Sequence, residues 1–349
     1  MDATSTAGQP GSTPLAPGVR LVDMDGLTGG FDRLSLMARR LRFRYQQLLL
    51  TIGLRHAIKL WLTDREAAMA FLARGRTNHA RGDAALSAMV DANAVRIAPP
   101  HSPLAAPPAP SEWFAPHKGE PVGFVFYVHG GSFIAERSAR LTAMVARFAA
   151  RANARVFAPS YRLAPEHPCP AAVEDIAASY RWFRETWPDE PVVCLADSAG
   201  SAILLAALQR VRDEGETLPD GVVLLSPWAD LSLQSWSVVA ASMTGTTGSN
   251  MEALALMAHL YLQGRSATDP VASPLFGDFS GFPPMLIHAS KGDILYDDAV
   301  RLADRMREAG GDLTVRLWAA ETHVWEAGNS SKARESIDLA ADFIQRCLD

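Results

Sequence analysis

The sequence predicts an α/β protein in which helices cover both faces of a mostly parallel sheet. The chain has 349 residues, of which 48% are hydrophobic and 20% charged, so it can bury a sizeable core. From residue 122 onward, short apolar runs alternate with segments of helical periodicity. Short, continuously apolar strands between helices are typical of a parallel sheet that is buried on both faces.

The region before this alternation is predicted to have two parts. Residues 1–30 are rich in Gly, Pro, Ser, Thr and Ala and have no apolar period, which predicts a disordered tail. Residues 31–90 carry Leu, Ile, Phe and Trp at helical spacing, which predicts an N-terminal helical cap. Within 31–81, 11 Lys/Arg residues stand against 3 Asp/Glu. We interpret this charge as a solvated or acid-paired face of the cap; the alternative is a weak peripheral contact with an anionic membrane.

Residues 91–349 are predicted to form the α/β domain. The predicted strands are 122–128, 155–159, 192–196, 221–226, 285–289 and 313–318. The predicted helices are 138–152, 171–186, 199–213, 298–309 and 332–346. The stretch 231–268 is longer than a crossover needs, so we expect it to be a cap insertion above the carboxyl ends of the strands, where α/β sheets bind ligands.

Ser198 is the candidate nucleophile. It lies in Val-Val-Cys-Leu-Ala-Asp-Ser-Ala-Gly, between a predicted strand and a predicted helix, which is the setting of a nucleophile elbow. Ala196 replaces the first glycine of the usual G-x-S-x-G pattern and is the next smallest residue. A serine at the start of a helix also serves as an N-cap, but the order strand, turn and helix favours a nucleophile.

The loop after strand 122–128 is the candidate oxyanion hole. It reads His-Gly-Gly-Ser-Phe and resembles the loops whose backbone N–H groups hold the oxyanion in esterases and lipases. The candidate donors are Gly131, with Gly130 or Ser132, together with Ala199 after the nucleophile. His129 is interpreted as a residue that orients this loop.

The remaining members of a triad are expected in the order acid, then histidine. His323 follows the last predicted strand and is the candidate general base, whereas His288 lies inside a strand and is interpreted as a core histidine. The acid is expected on the loop after strand 285–289, where Asp293 comes first. The alternatives are Asp297 and Asp298, whose positions favour helix capping, and Asp230 after another strand.

With these residues in place, the chain resembles the hormone-sensitive-lipase-like family of α/β-hydrolases over about residues 112–347. The resemblance rests on HGGSF, YRLAPEHPCPAAVED, ADSAG, LSPWADLS, DPVASPLF, GFPPMLIHAS, DILYD and THVW. It implies the triad Ser198, Asp293 and His323, and its D-x-L-x-D pattern favours Asp293 as the acid. It also implies that Tyr161 and Glu166 are structural supports.

The predicted function is a serine carboxylester hydrolase that acts on small or medium acyl esters without a metal or organic cofactor. A lactone hydrolase is the alternative, because residues 281–325 also resemble lactone hydrolases of this family. A non-catalytic receptor of the same fold would lack the triad histidine, which His323 supplies.

Composition restricts the other partners of the protein. The net charge of −5 argues against nucleic-acid binding, and no run of 18 or more apolar residues predicts a membrane span. Three cysteines without C-x-x-C spacing argue against a disulfide framework or a zinc site and fit the cytoplasm. No particular oligomeric state is predicted.

Overall fold

The structure is a computed structural model. It describes residues 13–16, 18–24, 56, 59–60, 63–81, 94–100, 106–244 and 251–349. Most of the predicted cap at 31–90, and the parts of the predicted tail at 1–12 and 25–30, lie outside the described residues.

A ten-stranded sheet runs through the described part of the chain. Its strands are β1 (Thr13–Ala16), β2 (Val19–Asp23), β3 (Ala94–Ile97), β4 (Ser111–Pro116), β5 (Phe124–Val128), β6 (Arg155–Pro159), β7 (Val192–Asp197), β8 (Gly221–Leu225), β9 (Met285–Ser290) and β10 (Leu313–Trp318). They are arranged in the order β1-β2-β10-β9-β8-β7-β5-β6-β4-β3. The pairs β1/β2, β3/β4 and β4/β6 are antiparallel and the other pairs are parallel, which confirms the predicted α/β class.

Helices cover both faces of this sheet. The α-helices of the described residues are α1 (Arg65–Arg81), α2 (Ala139–Ala152), α3 (Ala171–Thr186), α4 (Ala199–Asp213), α5 (Trp236–Thr244), α6 (Met251–Leu262), α7 (Tyr296–Glu308) and α8 (Ser331–Leu348). Helices α2 and α8 share one core with Val193 and Leu195 of β7. Helices α3, α4 and α7 share the other core with Cys194 and Ala196. Successive side chains of a buried strand therefore enter opposite cores, as strand geometry requires.

Two helix ends show how the sequence sets these boundaries. Ser138 caps α2, because its hydroxyl accepts a hydrogen bond from the Leu141 N–H at 3.3 Å. Ser330 caps α8 in the same way, with the Ala333 N–H at 3.0 Å. The predicted insertion at 231–268 contains α5 and α6.

The N-terminal strands correct one prediction. The expected disordered tail at 1–30 is wrong for β1 and β2, because β2 pairs in parallel with β10 at the edge of the sheet. Val19 and Met24 are buried, and Met24 packs with Trp318 and Trp325. An edge strand offers unpaired backbone groups, and these can bind another segment almost regardless of its side chains. Composition alone therefore did not reveal β2.

Deleting residues 1–24 is expected to lower the melting temperature. The deletion removes β2 and the burial of Val19 and Met24, which together stabilise the fold by about 3 kcal/mol. For a chain of this size the loss corresponds to a fall of about 5 °C in a thermal unfolding experiment. Deletion of residues 1–12, which retains both strands, is the matched control. A 1–24 deletion that melts with the full chain would show that β2 contributes nothing to stability.

Candidate active site

Ser198 occupies a sharp turn between β7 and α4. Its backbone adopts φ 50° and ψ −127°, which is a strained conformation for a residue with a side chain. The Ser198 N–H donates to the Leu225 carbonyl at 2.9 Å, so β8 holds the turn in place. A Cβ on Gly200 would lie 2.4 Å from the carbonyl oxygen of Val128, so only glycine fits where the helix passes the end of β5.

The structure brings the three predicted triad residues together. The Nε2 atom of His323 lies 2.8 Å from Ser198 Oγ, and its Nδ1 atom lies 2.8 Å from Asp293 Oδ2. Because a carboxylate only accepts hydrogen bonds, Nδ1 carries the proton and Nε2 is free to accept from the serine hydroxyl. This is the tautomer that a general base requires.

Charge pairing shifts the pKa values of both His323 and Asp293. Burial favours neutral His323, but the carboxylate of Asp293 outweighs burial and raises the pKa of His323 above 6.5. Burial likewise disfavours ionised Asp293, yet His323 and hydrogen bonds from Leu295 and Ser226 lower the pKa of Asp293 below its usual value. The pair therefore stabilises a positively charged imidazole next to the serine.

The alternative acids have other partners. Asp297 accepts the Ser237 N–H at 2.6 Å and so holds the start of α5. Asp298 accepts the N–H groups of Ala229 and Asp230 at 2.7 and 3.0 Å, and burial raises its pKa to about 7. Asp230 pairs with Arg301. These carboxylates order the loops around the site.

The backbone of the predicted oxyanion loop is left-handed at three consecutive residues. Gly131, Ser132 and Phe133 have φ values of 136°, 53° and 66°. The carbonyl of Gly131 accepts from the N–H groups of Ile134 and Ala135 at 3.1 and 3.0 Å, which closes the loop into a tight turn.

One predicted oxyanion donor is corrected by the structure. The Gly130 N–H donates to Asp197 Oδ1 at 3.0 Å, so it is not available to a ligand. The N–H groups of Gly131, Ser132 and Ala199 donate to no acceptor among the described residues. Within the described part of the chain, these three of the four predicted donors have no acceptor.

A buried polar network fixes this loop against the nucleophile turn. The Asp197 carboxylate, next to Ser198, also accepts from the Tyr127 hydroxyl at 2.6 Å, and burial raises the pKa of Asp197 to about 6. The Tyr161 hydroxyl donates to the His129 carbonyl at 2.7 Å. The His129 ring stacks on Tyr161, and burial lowers the pKa of His129 to about 4, so this imidazole is neutral.

Ser226 is a site residue that the sequence analysis missed. Its hydroxyl hydrogen-bonds to Asp293 and its oxygen accepts the Val324 N–H at 3.2 Å, so it links the loop of the acid to the loop of the histidine. The available signal was its position directly after β8, at the sheet edge where β7 and β9 also end. Asp197, the last residue of β7 and the neighbour of Ser198, is a second residue of the site that the sequence did not predict.

Two helices contact the predicted oxyanion loop or the residue that follows it. Phe133 stacks on Tyr261 of α6, with ring centroids 4.0 Å apart, and packs against Trp228. Phe71 of α1 joins Ile134 and residues of α6 in a separate apolar cluster.

The described residues contain no group of His, Cys, Asp and Glu side chains that could hold a metal ion.

The chain is similar to a protein-family model, to curated proteins and to solved structures. Residues 125–327 match the family model of the α/β hydrolase fold. An acetyl-hydrolase of Streptomyces hygroscopicus is 35% identical over 67% of this chain and 79% of its own length. An esterase of Acinetobacter venetianus is 29% identical over 63% of this chain and 73% of its own length. The crystal structure of an esterase from the bacterial hormone-sensitive lipase family is 30% identical with a TM-score of 0.68, covering 76% of this chain and 90% of that one.

Proposed function

Since this chain belongs to the α/β-hydrolase fold family, in its hormone-sensitive-lipase-like branch, and is a serine ester hydrolase, we propose that Ser198, His323 and Asp293 carry its reaction. The observation that supports this assignment is the pair of 2.8 Å hydrogen bonds that His323 makes to the other two residues. They fix the tautomer that lets one imidazole first accept and then donate a proton.

The acylation step uses these atoms in sequence. Ser198 Oγ attacks the ester carbonyl carbon while His323 Nε2 takes the hydroxyl proton. The carbonyl oxygen becomes an oxyanion, which we propose the N–H groups of Gly131, Ser132 and Ala199 hold, since none of them donates to an acceptor among the described residues. The tetrahedral intermediate then expels the alcohol, which receives the proton from Nε2, and the acyl group stays on Ser198.

Deacylation repeats the sequence with water in place of serine. The water oxygen attacks the acyl carbon as Nε2 takes a water proton, and the collapse of the second intermediate returns that proton to Ser198 Oγ. Asp293 stabilises the imidazolium in both halves without becoming protonated, in keeping with its lowered pKa. No step requires a metal or an organic cofactor.

We propose small or medium acyl esters as substrates. The stacked rings of Phe133 and Tyr261, with Trp228, occupy space beside the oxyanion loop, which supports a short acyl site. We expect kcat/KM for p-nitrophenyl acetate or butyrate to exceed that for the palmitate by on the order of 100-fold. Equal or greater kcat/KM for palmitate would contradict this proposal. Faster turnover of simple lactones than of every ester would favour the lactone hydrolase instead.

The pH dependence of kcat/KM is expected to follow the ionisation of the general base, His323. Acylation requires neutral His323, and Asp293 holds the pKa of His323 above 6.5, so activity rises with pH and reaches half its maximum above pH 6.5. The measurement is kcat/KM from roughly pH 5 to 9, with the chemical step shown to limit the rate. A flat profile under those conditions would exclude a histidine base.

We propose a cap role for the N-terminal segment and a cytoplasmic location. The contact of Phe71 with α6 and Ile134 supports a cap rather than a peripheral membrane contact through 31–81. Free Cys169, Cys194 and Cys347 support a reducing compartment. Among the described residues, no helix combines the length and apolar character needed to cross a bilayer.

A further inference from the structure

The turn that follows His323 is clamped by a buried arginine. Residues Trp325–Ala327 form one turn of 3-10 helix that begins two residues after His323. Arg147, a buried residue of α2, donates from Nη1 to the Gly328 carbonyl at 2.7 Å and from Nη2 to the Glu326 carbonyl at 2.5 Å. The position of the turn is therefore fixed from the side of α2.

The Glu326 side chain anchors the same turn to α8 and β9. It has no exposed surface, and its Oε1 atom accepts the Ser336 hydroxyl of α8 at 2.6 Å. The Ser336 oxygen lies 2.7 Å from Nδ1 of His288 on β9. Because the serine proton points to Glu326, His288 donates to the serine, and the three groups form one directed chain.

A buried carboxylate at this position is costly unless charge or hydrogen bonds compensate it. Ser336 provides one hydrogen bond, and Glu326 Oε2 has no partner within the described residues. Burial lowers the pKa of His288, so the imidazole stays neutral and does not cancel a charge on Glu326. Arg147 interacts with the charge of Glu326 and also binds main-chain carbonyls of the same turn. Glu326 lies three residues from the base, and its carboxylate raises the pKa of His323.

We propose that Glu326 is a positioning residue for His323, whose buried carboxylate anchors the turn that carries the base and adds a negative charge near the imidazolium. The inference rests on the proposed function, in which His323 is the base. The path to the base is short, because Val324 and Trp325 alone separate the two residues in the chain, and the Val324 N–H donates to the Ser226 hydroxyl oxygen.

The other charged groups around His323 determine how far its pKa falls when Glu326 is replaced by a neutral residue. His323 is faced by Asp293 from the loop after β9, by Asp197 from β7 and by Glu326 from the turn, and each raises its pKa. Glu326 is faced by Ser336 of α8, His288 of β9 and Arg147 of α2. Removal of the Glu326 charge leaves Asp293 and Asp197 in place, so the protonated form of His323 loses only part of its electrostatic stabilisation.

The test compares Glu326→Gln with Glu335→Gln. The Glu326 variant keeps an oxygen that accepts from Ser336 but has no charge, whereas Glu335 is a partly exposed residue of α8 that pairs with Lys332. For E326Q we expect the midpoint of the kcat/KM profile to fall by about 0.5 pH unit. We also expect kcat to fall on the order of 10-fold at nearly unchanged KM. E335Q is expected to match the parent.

A pH profile of E326Q that superimposes on that of the parent would overturn the proposal, whatever its melting temperature. If E326Q does not fold, Ser336→Ala tests the anchor, and a parental kcat in that variant would also overturn it. Labelling of Ser198 in the parent by a fluorophosphonate distinguishes failure of the proposed function from failure of the proposal for Glu326. If the parent is not labelled, the proposed function is wrong. If the parent is labelled and the pH profile of E326Q is unchanged, the role of Glu326 alone is wrong.

Discussion

Replacement of Ser198 by alanine is expected to reduce kcat for ester hydrolysis by about 10⁶-fold. The substitution removes the only oxygen that lies within hydrogen-bond distance of His323 Nε2 among the described residues, so no acyl-enzyme can form. The fold should persist, because the Ser198 backbone bonds to Leu225 and Trp228 do not involve the side chain. The measurements are ester turnover and labelling by a fluorophosphonate.

Ser201 provides the matched control for Ser198. It lies on the same helix three residues later, is fully buried, and its hydroxyl has no partner in the described part of the chain. Ser201→Ala should therefore retain turnover and labelling. If Ser198→Ala kept turnover within tenfold of the parent, Ser198 would not be the nucleophile and the elbow would be only a helix start.

The central sheet and the three catalytic candidates could be predicted because their signals are local. Each of the six predicted strands lies within two residues of an observed strand, since continuous apolar runs leave few alternatives for β5 to β10. Parallel strands carry their carboxyl ends to one edge of the sheet. Residues on the loops that follow β7, β9 and β10 therefore meet there, as Ser198, Asp293 and His323 do.

The missed features depend on contacts between distant parts of the chain. Nothing in the glycine pair of the oxyanion loop shows that Asp197, 67 residues later, takes the Gly130 N–H. The bonds of Ser226 to Asp293 and Val324 are equally remote in sequence. The pairing of β2 with β10 joins residues near both ends of the chain, and the five residues of β2 are too short a run to stand out from the Gly-, Pro-, Ser-, Thr- and Ala-rich stretch around them.

Replacement of Asp293 by asparagine is expected to lower kcat by about 10⁴-fold. An amide places an N–H group where the carboxylate accepted from Nδ1, so His323 turns to the tautomer with its proton on Nε2. That nitrogen cannot then accept the Ser198 proton. The imidazolium also loses the carboxylate that raises its pKa, so the residual activity should reach half its maximum at a lower pH than in the parent.

Asp297→Asn is the control for the same loop. The Asp297 carboxylate accepts one N–H, from Ser237, and an amide oxygen can accept it equally well, so kcat should stay within about tenfold of the parent. Both variants remove one negative charge from positions four residues apart, so a general electrostatic effect would lower the two rates alike. Only a direct bond to His323 predicts a difference of about 10³-fold between them. If Asp297→Asn had the larger effect, the acid of the triad would be Asp297, and the hydrogen bond between His323 and Asp293 would have no catalytic role.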